Sequence, residues 1–162
     1  MNLSTDLKVV EMADSRVVSV KEKYSGCQTM FKTANESACH FLTLLSIADE
    51  ENIRLKNGKP GIDFLEARVI AQKMKWMDKD FTVTVEGSLK LLELYTDRKW
   101  SRREVKSLPA VIKDNEYTEV IHYNERTKFK HYHRRSFDTL VNSITVKEGR
   151  IINYYIYTSE AL

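Results

Sequence analysis

Cys39 stands near the front of the run "NESACHFLTLLSIADE" (35–50), just behind a cluster of small and capping residues. A thiol in that setting can do chemistry. The start of a helix carries partial positive charge and unpaired N–H groups, and both favour a thiolate nucleophile. The preceding "TANE" (33–36) has Thr first and Glu three residues later, the spacing of a capping box. With Thr33 or Asn35 as the cap, Cys39 falls in the first or second turn. The competing reading is structural. Free cysteine is among the most buried residue types, and this helix needs a core face. On these residues alone both readings stay open.

A nucleophilic thiol needs a base, and the chain offers four histidines. His40 adjoins Cys39, but neighbours along a helix do not face one another. His122, His131 and His133 all fall in the second half. Within "TKFKHYHRR" (127–135) a strand period of two puts Thr127, Phe129, His131, His133 and Arg135 on one face. Lys128, Lys130, Tyr132 and Arg134 take the other. A strand holds such a base rigidly. A carboxylate or amide would then fix its tautomer, and Asp138 follows closely, with Asn142 as second choice. The plain alternative is that these histidines are ordinary polar residues of a half-exposed sheet. His131-x-His133 is also a spacing seen in metal sites. No second Cys/His pair lies near it in sequence, so no metal or other cofactor is expected.

Elements of two textures must position these groups. Residues 1–30 mix short apolar pairs with charges and carry no clear pattern, although "VVSV" could form a strand. In 36–50, Phe41, Leu42, Leu44, Leu45 and Ala48 make a broad apolar helical side, which Asp49, Glu50 and Glu51 close. "KNGKPG" (56–61) is a loop. Asp63 can cap a second helix in "FLEARVIAQKMKWM". "FTVTV" reads as a short strand or extended link, and "EGSLKLLELYT" as a third helix. From Trp100 onward "EYTEVIHYN", "TKFKHYHRR", "VNSITV" and "RIINYYIY" are rich in β-branched and aromatic residues with short gaps, which predicts an antiparallel meander. The expected architecture is a single α+β domain over 1–162: a mainly helical half (31–97) packed on a mainly β half (98–162).

The order of these parts resembles the papain-like cysteine peptidase fold, in particular the bacteriocin-processing peptidases and small phage- or plasmid-borne relatives. "NESACHFLTLLSIA", "YNERTKFKHYHRR" and "FDTLVNSITVKEGRI" carry the resemblance, which spans roughly residues 30–157. It implies a thiol hydrolase or transferase acting on a peptide or amide bond. Cys39 would be the nucleophile, His131 the general base and Asp138 its orienting carboxylate. His131 is preferred to His133 because it holds the Thr-x-Phe-x-His-aromatic place. Where several such families carry an oxyanion-hole Gln this chain has Thr33, with Asn35 a substitute on different spacing. The resemblance also admits a catalytically silent binding protein, such as a phage- or mobile-element-encoded inhibitor of a host factor.

A second constellation competes with the thiol. Lys128, Lys130 and Arg134 are interleaved with aromatic residues, and "DRKWSRREVK" (97–106) adds basic residues around Trp100. Basic strands with aromatic platforms suit phosphate contact and base stacking, or an acidic protein partner. The blander reading is a solvated face that discourages edge pairing. With 162 residues and a formal charge of only +3, the chain gives nucleic-acid binding little global support. A peptide or protein target is the expected partner. No run is apolar for long enough to span a bilayer, and the N-terminus does not read as a signal peptide. Two cysteines make no disulfide framework. A reducing cytoplasm is the expected setting, and the oligomeric state stays open.

Overall fold

The computed structural model describes residues 39–57, 62–134 and 147–162. Asn35, Asp138, the "TANE" segment and "VNSITV" lie outside the described residues.

Helix α1 (Cys39–Leu55) is buried on almost every side: Phe41, Leu44, Ile47 and Ala48 lie in the interior, and so do Thr43, Ser46, Asp49, Glu51 and Asn52. Asp49 and Glu51, expected to close the apolar side of the helix, are themselves inside. Both carboxylates are enclosed, because α1 lies between the other helices and a sheet. Its apolar stripe meets Phe64, Ala67 and Ala71 of α2 (Phe64–Lys73) and Leu91 and Leu92 of α3 (Val85–Thr96). Phe41, Phe64 and Phe81 form a ring cluster with centroids 5.7–6.4 Å apart. Each such large apolar side chain contributes about 1.5–3 kcal/mol by leaving water.

The Asp63 carboxylate caps α2 by accepting the Glu66 N–H at 3.2 Å. The helix ends sooner than its apolar pattern, because Lys75 takes a left-handed φ of 61° and the chain turns. "FTVTV", expected as a short strand or extended link, carries one isolated bridge, Met77 to Val83. Thr84 caps α3, its hydroxyl accepting from the Gly87 N–H at 2.9 Å. Gly87 is required there: a Cβ would fall 2.4 Å from the Trp76 carbonyl oxygen.

The strands are β1 (Lys99–Val105), β2 (Glu116–Asn124), β3 (Phe129–His133) and β4 (Arg150–Glu160). Their sheet order is β1-β4-β2-β3, with every neighbouring pair antiparallel. The architecture is thus α+β, but its four strands do not follow one another as a meander. The last strand inserts between β1 and β2. The reason lies in composition. β4 is "RIINYYIYTSE" and β2 "EYTEVIHYN", both with buried interiors, while the more exposed basic strands β1 and β3 sit at the edges. Alternation sends Tyr117, Glu119 and Ile121 of β2 toward α1 and Thr118, Val120 and His122 to the far face; all six are buried. Between Ile121 and His122 the pairing with β4 skips Ile152, a bulge in the ladder. Among the described residues no helix is long and apolar enough to cross a membrane.

Candidate functional site

The contact between α1 and the sheet is a polar seam, unusual for a domain interior. At its centre Glu51, with 0% exposure, accepts from Arg54 at 2.7 Å and from the Tyr117 hydroxyl at 2.9 Å. It also accepts from the Ser159 hydroxyl, and Arg98 lies 3.4 Å away. Burial alone would raise the Glu51 carboxyl, but hydrogen bonds from Arg54, Ser159 and Tyr117 outweigh it and hold the group below the usual range. Nearer the start of α1, buried Glu119 accepts from His40 Nδ1 at 2.6 Å, from the Tyr157 hydroxyl at 3.0 Å and from the Thr43 hydroxyl. The His40 ring packs against Tyr132 at 4.5 Å, and the Arg102 guanidinium covers Tyr155 at 3.9 Å.

Cys39, the first residue of α1, is half-buried at one end of this seam. Its sulfur accepts the backbone N–H of Tyr132 at 3.5 Å, so the thiol lies along the outer margin of edge strand β3. Burial pushes the thiol up from an ordinary 9.0 to about 11, and the negative charge of Glu119 adds to the rise. The N–H of Tyr132 in β3, and then those of His40 and Cys39 at the helix start, pull the other way but do not win. The sulfur is therefore a neutral thiol at physiological pH.

The histidines of the β half lie on the opposite face of the sheet. His131 is the cross-strand partner of His122. Its ring centroid is 6.1 Å from that of His133, which is 4.9 Å from that of His122. Burial, with the charges of His133 and His122, lowers His131 to about 4. The structure thus brings Cys39 to the strand of His131, but against the Tyr132 main chain, while the His131 side chain joins the other imidazoles.

The basic constellation divides in the same way. Lys128 and Lys130 are exposed, Lys128 with a left-handed φ of 65° in the β2–β3 turn. Arg134 is buried instead: it donates to the Thr118 carbonyl, to Ser46 and to Glu50 at 2.7–3.1 Å, tying α1 to the sheet. Trp100, expected as a stacking platform, is 4% exposed and donates its indole N–H to Thr96 at 2.7 Å. Both side chains are committed to the interior, so neither offers a surface contact.

Sequence reasoning set His40 aside as a neighbour of Cys39, named Glu51 and His122 without a site role, and did not single out Glu119. One signal was available. Tyr117, Glu119 and Ile121 share a strand face by period two, and an acid on an otherwise apolar face marks a buried, partnered carboxylate. Nothing local announces that His122 lies opposite His131, because strand pairing sets that contact.

Fold and site together define an α+β protein with a buried carboxylate seam on one face of its sheet and a histidine cluster on the other. No family model matches the chain, and neither a curated protein nor a solved structure matches it.

Proposed function

We propose that this chain acts by holding a protein partner at its β2–β3 hairpin, on a scaffold of the papain-like kind, and not by cutting a peptide or amide bond with Cys39. The observation that carries this reading is the state of Cys39. Its sulfur is spent on the Tyr132 N–H and its proton is held up to about 11, whereas a nucleophile needs a lowered pKa or a base against it.

The hairpin has the features of a binding anchor. Phe129 is 66% exposed, flanked by exposed Lys128 and Lys130. The turn is pinned by local contacts: the Asn124 side-chain oxygen accepts the N–H groups of Arg126 and Thr127, and Arg126 pairs with Glu148 at 2.8 Å. A groove of about 400 Å³ lies beside it, lined by Tyr123, Asn124, Glu125 and Arg126 of the hairpin and by Glu148, Gly149 and Arg150. A rigid aromatic ring costs little entropy to bury on binding, and the lysines favour an acidic partner surface.

What supports the papain-like scaffold is that a cysteine heads a helix packed against the histidine-bearing strand. That contact also supports the thiol hydrolase or transferase as the second reading. There Cys39 would have to exchange its Tyr132 partner for an imidazole such as His131, with Asp138 and Asn35 in the roles the resemblance implies. Nucleic-acid binding has less support, since Trp100 and Arg134 are taken up in the interior.

The test compares the wild-type chain with Cys39→Ser and Phe129→Ala, each immobilised against extract of the source cells, with retained proteins identified by mass spectrometry and their affinities measured. The reading expects a specific partner held equally by wild type and Cys39→Ser, and at least about tenfold more weakly by Phe129→Ala. Turnover of a peptide or amide that vanishes in Cys39→Ser would overturn it in favour of the hydrolase.

A further inference from the structure

The basic run "DRKWSRREVK" (97–106) supplies β1, the edge strand on the opposite side of the sheet from the hairpin. Ser159 donates its main-chain N–H to the Asn115 carbonyl at 2.9 Å, so Ser159, Tyr157 and Tyr155 bond toward β2. The alternate residues of β4 bond toward β1: Thr158 with Ser101, Ile156 with Arg103 and Tyr154 with Val105. The main-chain N–H and C=O groups of Arg102 and Glu104 therefore point away from the sheet. Among the described residues nothing takes them up. Ser101, Arg103 and Glu104 are exposed and Arg102 is half-buried, so this stretch of edge is open to solvent, whereas Trp100 is enclosed. An unpaired edge of this kind is a template for another strand.

We infer that two copies of this chain pair through β1, antiparallel about a twofold axis at Arg103. Charge selects both the partner and the register. With Arg103 opposite its own copy, Arg102 of each chain lies opposite Glu104 of the other. Both are on the face that carries α1, because Arg102 pairs with Tyr157 and Tyr157 with Tyr117. Each Arg102–Glu104 pair exchanges both main-chain hydrogen bonds and sets unlike charges side by side. Neither side chain is fully committed within its own chain. The Arg102 guanidinium lies 3.9 Å over the Tyr155 ring, with no carboxylate in ion-pair reach among the described residues. Glu104 accepts from Asn153 with one carboxylate oxygen, and no donor among the described residues reaches the other. The meeting of the two Arg103 side chains is tempered, since each already pairs with Glu116 at 2.8 Å. Ser101 and Val105 fall opposite one another and are uncharged. Other registers lose the match: an axis at Arg102 sets that arginine opposite itself, and an axis at Glu104 sets that glutamate opposite itself. The sheet then runs through both copies, with β3 at each outer end. The dimer so carries its two β2–β3 hairpins far apart, and the inference stands whether or not a hairpin binds a partner.

The experiment is sedimentation velocity on the full chain under reducing conditions, from about 1 to 500 μM, the range that a small reversible interface calls for. The expected result is a monomer–dimer equilibrium. Arg102→Glu and Glu104→Arg should each weaken it by at least about tenfold, since each sets like charges opposite one another. Mixed in equal amounts, the two variants should dimerise with each other, because every opposed pair is again of unlike charge. The double variant Arg102→Glu with Glu104→Arg should dimerise alone for the same reason. Should the variants fail to fold, hydrogen exchange in the wild-type chain decides. The Arg102 and Glu104 amides must gain protection as concentration rises, while those of Ser101 and Arg103, bonded to β4, stay protected throughout. A monomer over the whole range, a dimer that both single variants leave intact, folded variants that do not associate when mixed, or Arg102 and Glu104 amides that stay unprotected at every concentration overturns the inference.

Discussion

Replacing Glu51 by Gln tests whether the polar seam holds the fold together. Glu51 is fully enclosed, and its carboxylate receives Arg54, Tyr117 and Ser159, with Arg98 close by. Hydrogen bonds to a charged acceptor contribute about 1.5–3 kcal/mol each. The donors do not suffer equally when the charge goes. Arg54 and Arg98 side chains are 32% and 20% exposed, so water takes over part of their demand. The Tyr117 hydroxyl and Ser159 are buried and must share one neutral amide oxygen in place of two charged carboxylate oxygens, the amide NH2 being able only to donate. The expected loss is therefore about 3–5 kcal/mol, the cost of breaking a buried pair. That is a large part of the roughly 5–15 kcal/mol that stabilises a typical domain. In urea denaturation followed by circular dichroism, the midpoint should fall by roughly 2 M with an unchanged slope. Tyr117→Phe should lose less, and the double mutant less than the sum. The pH dependence has a definite sign. The Glu51 carboxyl is depressed in the folded state. Its contribution is thus present above the unfolded value of about 4.3 and is lost as pH falls through the folded value. The gap between wild type and Glu51→Gln should close in acid. A variant within about 1 kcal/mol of wild type at neutral pH would refute the assigned role of the seam.

Two further outcomes follow from packing. Gly87→Ala drives a methyl group to 2.4 Å from the Trp76 carbonyl oxygen, so it should cost about 1–3 kcal/mol in the same assay despite the helix propensity it gains. Phe129→Ala removes a ring that is 66% exposed, so stability should stay within about 0.5 kcal/mol of wild type; a larger loss would make the ring structural and not a binding anchor.

What the sequence made legible was mostly local. Asp63 and the apolar runs located the helices, and aromatic, β-branched composition located β2, β3 and β4. The sheet order was not legible, because placing β4 between β1 and β2 is a long-range choice set by which strands can be buried on both faces. For the same reason Asp49 and Glu51 read only as the close of the apolar side: their burial comes from packing between helices and sheet, which a helical period does not encode. The helix-start argument for Cys39 identified a real effect of the wrong size. N–H groups do stabilise its thiolate, but burial and Glu119 outweigh them. Period two put His131 and His133 on one strand face, while the partnership with His122 appears only once β2 and β3 are in register.

The account rests most directly on Cys39 being a neutral thiol, and its alkylation rate against pH measures that, in a Cys27→Ser chain where one sulfur reports. Raising the thiol from 9.0 to about 11 lowers the thiolate fraction at a given pH by about a hundredfold. The greater nucleophilicity of a more basic thiolate returns roughly a factor of eight. The folded chain should therefore label about tenfold more slowly than the same chain in urea, and its rate should still be climbing beyond about pH 9. Glu119→Gln, which removes an opposing charge, should speed the reaction. A rate that levels off below neutral pH, with labelling faster than in the unfolded chain, would contradict the account and restore Cys39 as a nucleophile.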